Sequence, residues 1–417
     1  MATTVRRPGG SGSEAHVLAT IEPLFSRVAP PLPPVQFTGT EGARYNMGAG
    51  QPDPESLPRR ELSEIITSLL ASDEGKAALM YGHASGYPGL REALSEKLRR
   101  WDELEVDPEE LIIVNGSNHG LALVVQAFLN PGDVVIVEAP SFMGGLRPMR
   151  QLQMRIEMVA LDADGLRTDL LEEKLDQLLR AGTPAKLVYT IPNFHNPAGV
   201  DMSLARRRRL VELAEGFNFV VLEDDAYGEL RFSGARLPSI YSLAPSGRVV
   251  RSATLSKILA AGLRVGYLCA SREVIARLNS LKLDGGASPF IGRVAASWLR
   301  QHHDSHVPQL IDIYRAKRDA LLRGLERGFP PGDPLKPSWH VPAGGFFLWL
   351  KLPPGVDPAK VSAAAAARGV AYVPGQAFFA DGTGSEYIRL AWSMLSVEHL
   401  ETAGTLVAEA IHEAAAE

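Results

Sequence analysis

The stretch VVRSATLSKILAAGLRVGYLC, residues Val249–Cys269, decides the fold of this chain. It opens and closes with short apolar runs, Val249–Ala253 and Val265–Cys269, which are typical of buried strands. Between them lies Lys257, flanked by hydroxyl side chains and followed seven residues later by Arg264. A lysine and an arginine just beyond a buried strand indicate a phosphate site or a lysine that reacts with a carbonyl group. An ordinary surface lysine is the competing interpretation.

The alternation of short strands with helical periodicity continues on both sides of this stretch. Amphipathic helices are predicted between several strands, for example over Gly120–Phe128 and Ala205–Gly216. Strands that alternate with helices form βαβ units, so we predict an α/β fold with a large domain built on a mostly parallel seven-stranded sheet between helices. The predicted strands are Leu111–Val114, Val134–Glu138, Arg155–Ala160, Lys186–Ile191, Phe219–Glu223, Val249–Ala253 and Val265–Cys269.

Changes in composition predict the domain boundaries. Residues 1–45 are rich in glycine and proline and are predicted to form an N-terminal arm with one short helix, His16–Arg27. Residues 46–295 form the predicted large domain. Longer helices and fewer strands follow, so residues 296–417 are predicted to form a smaller α+β domain. Its predicted elements are Ile311–Arg327, Gly345–Leu350, Pro358–Ala367, Tyr387–Ala391 and Val397–Ala415.

Composition and charge exclude several classes of protein. The chain has 417 residues, of which 45% are hydrophobic and 22% charged, and its net charge of −5 provides no basic surplus for nucleic acid. The single cysteine, Cys269, excludes an intrachain disulfide and a cysteine-based metal cluster, and we predict no metal site. The apolar run Ala363–Ala367 is too short to cross a membrane. Since the N-terminus also lacks the apolar stretch of a signal peptide, we expect a cytoplasmic protein.

Polar and aromatic side chains follow the predicted strands at the sheet edge where such folds bind ligands. Ser117 and Asn118 open a helix whose free backbone N–H groups suit an anion, although an ordinary helix cap explains them equally well. Phe142 either stacks on a planar ring or joins the core. Asn196 lies in a tight polar turn. Asp224 ends a buried strand, where its carboxylate needs an arginine or a ligand cation.

Together these strand ends describe one ligand, pyridoxal 5′-phosphate (PLP). This cofactor has an aldehyde that reacts with a lysine, a ring nitrogen that works best when protonated, a phenolic oxygen, a flat face and a phosphate dianion. The sequence offers a candidate partner for each of these groups in successive βα loops.

The chain resembles the class I/II aminotransferases among the fold-type I PLP enzymes, nearest to the 2-aminoadipate aminotransferase and MocR-like branch, here without a DNA-binding domain. The resemblance runs from about Tyr45 to the C-terminus and implies the aminotransferase fold type I. It rests on ten motifs in the family's order. They are GQPDP (Gly50–Pro54), YGHASGYPGLREAL (Tyr81–Leu94), GSNHGL, EAPSF, YTIPNFHNPAG, LEDDAYGEL, SATLSKILAAGLRVGY, GGASPF, PAGGFFLWL, and VPGQAFF with YIRLAWS.

The resemblance implies a catalytic role for three residues and substrate contacts for two. Lys257 would be the internal aldimine lysine, which also moves a proton between the substrate Cα and the cofactor. Asp224 would pair with the pyridinium nitrogen, and Tyr227 would hydrogen-bond the phenolic oxygen. Arg389 would bind the substrate α-carboxylate through two hydrogen bonds, with Asn196 as a second contact.

Further cofactor contacts are implied in the same way. Phe142 would stack on the ring, and Asn196 would share the phenolic oxygen with Tyr227. Because active sites of this family lie at a dimer interface, Tyr81 would reach the phosphate of the neighbouring subunit, and a homodimer with shared active sites is expected. The residues implied to bind phosphate within one subunit are Ser117, Asn118, Thr254 or Ser256, and Arg264.

Four positions depart from the family pattern. His119 and His195 replace residues that are usually glutamine or asparagine in relatives, the usual NPTG is NPAG, and Ala261 replaces the usual proline. Both histidines lie in loops expected to rim the cofactor. Each either forms local hydrogen bonds or acts as an acid or base near the reacting atoms.

Three functions therefore stay open. The leading interpretation is a PLP-dependent aminotransferase that acts on an α-amino acid and a 2-oxo acid through a quinonoid. The second is a PLP-dependent lyase (β-elimination with C–S bond cleavage), or a decarboxylating or oxidative enzyme of a biosynthetic pathway, on the same scaffold. The third, a MocR-type regulator, is disfavoured because fewer than 50 residues precede the catalytic-type domain.

Overall fold

The structure is a computed structural model that describes residues 25–26, 29 and 42–416 of the chain. The predicted N-terminal arm over residues 1–45, including its helix His16–Arg27, lies almost entirely outside the described residues. The two predicted domain boundaries beyond it stay predictions.

The described residues form fourteen strands. They are β1 (Tyr45–Asn46), β2 (Leu111–Asn115), β3 (Val134–Ala139), β4 (Arg155–Asp162), β5 (Gly165–Leu166), β6 (Ala185–Thr190), β7 (Val220–Asp225), β8 (Val249–Thr254), β9 (Val265–Cys269), β10 (Ser338–Trp339), β11 (Phe347–Lys351), β12 (Val370–Ala371), β13 (Val373–Pro374) and β14 (Tyr387–Ala391).

The same residues form thirteen α-helices. They are α1 (Arg59–Ala71), α2 (Glu74–Ala78), α3 (Pro88–Asp102), α4 (Ser117–Phe128), α5 (Met143–Gln151), α6 (Thr168–Arg180), α7 (Leu204–Phe217), α8 (Ile240–Leu243), α9 (Arg272–Leu281), α10 (Pro289–Gln301), α11 (His303–Gly328), α12 (Pro358–Ala367) and α13 (Val397–Ala416). Short 3₁₀ segments lie at Pro54–Ser56, Pro108–Glu110, Ala261–Leu263 and Gly375–Phe378.

The main sheet has the strand order β2-β9-β8-β7-β6-β3-β4-β5. Strands β8, β7, β6, β3 and β4 are parallel neighbours, whereas β9 is antiparallel to both β2 and β8. This confirms the predicted α/β fold with a mostly parallel sheet, and all seven predicted strands are present. The eighth strand, β5, was not predicted because its two residues pair only with the end of β4.

Helices cover both faces of this sheet, and the alternation within β3 shows why. Val135 and Val137 belong to the core formed with α4, α5 and α9, whereas Val134 and Ile136 belong to the core formed with α6 and α7. A strand that is buried on both faces needs apolar residues at consecutive positions, which accounts for its unbroken Val-Val-Ile-Val run.

A smaller antiparallel sheet, β10-β11-β14-β13, contains the predicted strand Tyr387–Ala391 and lies in the part of the chain predicted to be α+β. Helix α11 begins eight residues earlier than predicted and packs extensively against α13. Among the residues that the structure describes, no helix combines the length and apolar character that a membrane span requires.

Candidate active site

The candidate site lies where the parallel strands end. Strands β3, β6, β7 and β8 run in the same direction, so their carboxyl ends meet at one edge of the main sheet. Strand β7 ends at Asp225, directly after Asp224, and β8 ends at Thr254, three residues before Lys257. The loop after β6 carries Asn196. The topology therefore gathers residues that lie far apart in the sequence.

Lys257 is a partly buried cation without a counter-charge. Its Nζ donates a hydrogen bond to the Gly50 carbonyl oxygen at 2.9 Å and lies 5.6 Å from the centroid of the Tyr227 ring. No ion pair to Lys257 occurs in the described part of the chain. Burial, together with the positive charges of Arg264 and Arg389, lowers the pKa of Lys257 to about 8. The neutral amine, which is the form that attacks a carbonyl carbon, is therefore a larger fraction near neutral pH than it is for an ordinary lysine.

Asp224 is a buried carboxylate with one satisfied and one unsatisfied oxygen. The Tyr189 hydroxyl donates a hydrogen bond to Asp224 Oδ2 at 2.8 Å. The other oxygen, Oδ1, is buried and has no hydrogen-bond partner. Burial is the main reason why the pKa of Asp224 is raised to about 7. A buried acceptor without a donor is costly, so Oδ1 is a natural site for a cationic N–H group of a ligand.

Arg389 is a buried guanidinium on β14 that has only neutral partners. Its Nη1 donates to Asn196 Oδ1 at 3.0 Å and its Nη2 donates to the Gly48 carbonyl oxygen at 2.6 Å, while its Nε has no partner. The guanidinium carbon lies 4.2 Å from the Phe347 ring centroid and 4.9 Å from that of Phe378. Burial lowers the pKa of Arg389 to about 10. A buried arginine with apolar walls and no carboxylate partner suits the carboxylate of a small ligand.

Glycines create a cradle at the N-terminus of α4. The residue before the helix is Gly116, with φ of 80°, and it offers no side-chain cap to the first turn. A Cβ on Gly266 would approach the Ser117 backbone nitrogen to 2.8 Å, so only glycine lets β9 pass this close. Arg264 is exposed beside the cradle, with Nη2 3.5 Å from the Asn115 carbonyl oxygen. Free helix N–H groups next to an arginine form a site for a phosphate.

The other residues expected around the cofactor differ in the contacts that they already make within the fold. Thr254 Oγ1 lies 2.8 Å from Ser256 Oγ and 3.0 Å from the Val265 carbonyl oxygen, so its hydroxyl is already used within the fold. Tyr227 is buried against the aromatic rings of Phe346 and Phe347.

Phe142 precedes α5 and is half-buried, and Gly144 leaves room for its ring. Asn118 lies in the first turn of α4 beside Ser117. Tyr81 is the exception within this set, because it is 98% exposed.

His195 is held by local hydrogen bonds. Its Nδ1 accepts from the Ala198 amide at 3.3 Å, so its Nε2 carries the proton and donates to Glu138 Oε2 at 3.0 Å. Glu138 also accepts from the Thr190 hydroxyl and the Ile191 amide. Both nitrogens of the ring are occupied, which favours a structural role.

His119 also forms a local hydrogen bond. Its Nδ1 accepts from the Asn115 amide at 3.2 Å, and burial lowers its pKa. Asp284 Oδ2 lies 3.9 Å away, too far for a hydrogen bond.

Two participants in the site were missed in the sequence. Gly50 belongs to the GQPDP motif, but nothing local predicts that its carbonyl oxygen meets a lysine 207 positions away. The second is Tyr189, which contacts Asp224 of the neighbouring strand β7. The signal for Tyr189 was present, because a tyrosine inside a buried strand needs a partner for its hydroxyl.

The site fits PLP on its own chemistry. An unpaired lysine suits the aldehyde, an orphaned carboxylate oxygen suits the ring nitrogen, and the uncapped helix with Arg264 suits the phosphate.

Comparisons with known proteins agree with this geometry. The family profile described as aminotransferase class I and II matches residues 45–404. An aromatic-amino-acid aminotransferase of Thermococcus litoralis is 37% identical over 371 residues, covering 88% of this chain and 88% of that protein. The structure of Pyrococcus horikoshii kynurenine aminotransferase in complex with PMP superposes with a TM-score of 0.85 and 35% identity, over 89% of this chain and 92% of that chain.

A second solved structure is also similar. It is alpha-aminoadipate aminotransferase of Thermus thermophilus complexed with N-(5′-phosphopyridoxyl)-L-leucine, with a TM-score of 0.84, 30% identity, and coverage of 95% of this chain and 100% of that chain.

Proposed function

The chain belongs to the class I and II aminotransferases, and on that premise we propose that Lys257, Asp224 and Arg389 form the centre of its active site. It is a PLP-dependent aminotransferase that acts on α-amino acids. One observation supports this assignment of residues. The buried side chains of Asp224 and Arg389 and the partly buried side chain of Lys257 converge at one site, and each lacks the counter-charge that would stabilise its charged form.

Bound PLP supplies an electron sink that stabilises negative charge at the substrate Cα. Lys257 would hold the cofactor covalently and, once released, move a proton at the substrate Cα. Its lowered pKa, about 8, suits both tasks because the amine can gain or lose a proton near neutral pH.

Asp224 would keep the ring nitrogen protonated, since its unpartnered Oδ1 can accept a hydrogen bond from an N–H⁺ group. Tyr227 and Asn196 would hold the phenolic oxygen, and Phe142 would pack on the ring. Removing Asp224 should cost several kcal/mol in the chemical step, by analogy with other buried pairs that lose one partner.

The phosphate would lie at the start of α4, where Ser117 and Asn118 provide free backbone N–H groups and Arg264 provides a charge. Ser256 and Thr254 are the candidate hydroxyl donors. Because the Thr254 hydroxyl is already 3.0 Å from the Val265 carbonyl oxygen, Ser256 is the better candidate.

Arg389 would bind the α-carboxylate of the substrate. Its Nη2 would exchange the Gly48 carbonyl for a carboxylate oxygen, and Asn196, already 3.0 Å from Nη1, would steady the guanidinium. The rings of Phe347 and Phe378 exclude water from this pair and so strengthen it.

We also propose a homodimer with shared active sites, in the cytoplasm. Leu79, Met80 and Tyr81 form a run of exposed large side chains, which is unusual on a free surface and supports burial against a second copy. In that dimer, Tyr81 would reach the phosphate site of the partner. The single buried cysteine supports a reducing compartment.

No observation favours the lyase or oxidative alternative. It depended on His119 and His195 acting as acids or bases, and both rings are engaged in local hydrogen bonds.

The decisive experiment combines cofactor trapping with product analysis. The purified protein should be yellow, and borohydride reduction followed by peptide mass spectrometry should place the cofactor on Lys257. A panel of aromatic amino acids, kynurenine and 2-aminoadipate, with several 2-oxo acids, should yield keto acids. A colourless protein that Lys257→Ala leaves fully active would overturn the site. Products of elimination or oxidation in place of keto acid would contradict the reaction.

Subunit mixing tests the shared site. Lys257→Ala and Tyr81→Ala subunits, each impaired alone, should recover activity when mixed, because the hybrid has one site with both residues intact. A fully active monomer in solution would contradict the dimer.

A further inference from the structure

Tyr189 is a buried residue for which the family resemblance gave no role. It lies in the middle of the sheet on β6, is fully buried, and its hydroxyl donates to Asp224 Oδ2 at 2.8 Å. No other hydrogen bond reaches this carboxylate among the described residues. We propose that Tyr189 is a positioning residue that holds Asp224 in the orientation and charge state needed to keep the ring nitrogen of the cofactor protonated. This inference rests on the proposed function of Asp224.

The geometry of the contact fixes which oxygen is offered to the ligand. A carboxylate attached to a strand can rotate about its terminal bond, so both oxygens are equivalent until one is bound. The Tyr189 hydroxyl occupies Oδ2, which leaves Oδ1 as the free acceptor. The phenol therefore sets the direction in which the carboxylate faces before the cofactor binds, and this reduces the reorganisation on binding.

The phenol also acts on the charge of Asp224. Burial raises the pKa of this carboxyl, as do the neighbouring charges of Asp225 on β7 and Glu138 on β3, whereas Tyr189 and Lys257 lower it. Tyr189 cannot exchange roles with the carboxyl, because burial and the nearby Asp224 raise its own pKa far above the ordinary value. It thus remains a proton donor at any physiological pH, and its hydrogen bond favours the charged carboxylate.

The chain makes room for this contact at one position in α5. A Cβ on Gly145 would meet the Tyr189 hydroxyl oxygen at 2.6 Å and the ring carbon that bears it at the same distance. Gly145 has no positive φ, so an alanine there keeps the helical backbone. Gly145→Ala is therefore an independent way to displace the Tyr189 hydroxyl without removing it.

The first measurement uses the cofactor-free protein. In protein labelled with ¹³C at aspartate carboxyls, with Asp224→Asn used to assign the signal, the pKa of Asp224 should rise by about one unit or more in Tyr189→Phe. Tyr267→Phe is the matched control, since Tyr267 is also a buried tyrosine of the main sheet but belongs to the core on the other face. That control should leave the Asp224 signal unchanged.

The second measurement uses the loaded enzyme. In Tyr189→Phe we expect kcat to fall about tenfold while KM for the amino acid changes less than about twofold, because Arg389 is untouched. Cofactor affinity should weaken several-fold. Gly145→Ala should change the Asp224 pKa, kcat and cofactor affinity in the same directions as Tyr189→Phe does. If Tyr189 were purely structural, Tyr189→Phe and Tyr267→Phe would both lower thermal stability, and Tyr189→Phe would not lower kcat selectively relative to KM.

The Asp224→Asn variant distinguishes a failure of the proposed role of Asp224 from a failure of the role of Tyr189. If Asp224→Asn is fully active, the proposed role of Asp224 fails and the inference fails with it. If Asp224→Asn is impaired but Tyr189→Phe keeps the wild-type pKa of Asp224 and wild-type kcat, only the inference is overturned.

Discussion

Two clusters of buried charge lie side by side in this enzyme and behave in opposite ways. The first is the proposed active site, Lys257, Asp224 and Arg389, which we call the active-site cluster. The paired cluster, which we define as Lys97, Asp102, Asp225, Glu229 and Arg251, connects α3 to strands β7 and β8. Burial opposes charge in both clusters, so the difference must come from partners.

In the paired cluster every charge meets an opposite one. Lys97 Nζ lies 2.6 Å from Glu229 and 3.2 Å from Asp102, and Arg251 Nη2 lies 2.6 Å from Asp225. Although burial alone would have the opposite effect, these contacts raise the pKa of Lys97 and lower that of Glu229. In the active-site cluster the effect of burial prevails. The pKa of Asp224 is raised and the pKa values of Lys257 and Arg389 are lowered, so the neutral form of each group is favoured.

The comparison teaches that burial of a charge does not by itself mark a functional site. Asp224 and Asp225 are adjacent in the sequence, yet Asp225 accepts hydrogen bonds from Asn193, Gly228 and Arg251, whereas Asp224 has an orphaned oxygen. A paired charge contributes to the fold, and an unpaired one is stabilised only when a ligand arrives.

The largest expected effect separates function from stability at Lys257. Lys257→Ala should lower kcat by about 10⁴-fold or more, because both covalent binding and proton transfer are lost. Its free energy of unfolding, measured by urea denaturation of the cofactor-free protein, should not decrease, since the lysine has no ionic partner. A large loss of stability would show that Lys257 stabilises the fold, as the charges of the paired cluster do.

The reverse result is expected for the paired cluster. Lys97→Met should lower the free energy of unfolding by about 3 kcal/mol or more, because Glu229 and Asp102 each lose a buried partner. Activity per folded molecule should stay within about twofold of wild type, as Lys97 contacts none of the proposed active-site residues. Arg60→Met is the surface control, since its contacts to glutamates are exposed and should contribute under about 1 kcal/mol. Equal stability of the two variants would remove the distinction between the clusters.

The pH dependence of stability gives a third contrast in the cofactor-free protein. Asp224 has a folded pKa of about 7, so between about pH 4 and 7 the folded state keeps a proton that the unfolded chain has lost, and stability falls as pH rises. Lys257, with a folded pKa of about 8, contributes a rise in stability between about pH 8 and 10. Glu229 has a lowered pKa and contributes stability that is lost in acid.

Urea midpoints measured from pH 4 to pH 10 test these signs. Asp224→Asn should remove a fall of about 3 kcal/mol between pH 4 and 7, and Lys257→Met should remove the rise above pH 8. A wild-type curve that already matches both variants would show that these groups titrate normally.

The smallest effect is expected at the two histidines. His119→Gln and His195→Gln should each change the free energy of unfolding by less than about 1 kcal/mol, because a glutamine amide can replace the local hydrogen bonds. The product spectrum with one amino donor should equal that of the wild type. A new product ratio in either variant would show that the histidine acts on the reaction.

The fold, the family and the cofactor could all be predicted from the amino-acid sequence. These features can be read along the chain without knowing which strands are neighbours. They are the periodicity of the strands, the order of the motifs and the position of Lys257 after β8. Strand boundaries fell within one or two residues of the structure for the same reason.

Which of the buried charges are paired could be seen only in the three-dimensional arrangement of the strands. Consecutive residues of a strand point to opposite faces, so Asp224 meets Tyr189 of β6, whereas Asp225 meets Arg251 of β8. These partners come from other strands, and their order in the sheet is set by crossover helices rather than by sequence distance. Whether a buried charge belongs to the fold or to the ligand therefore depends on contacts that no local pattern contains.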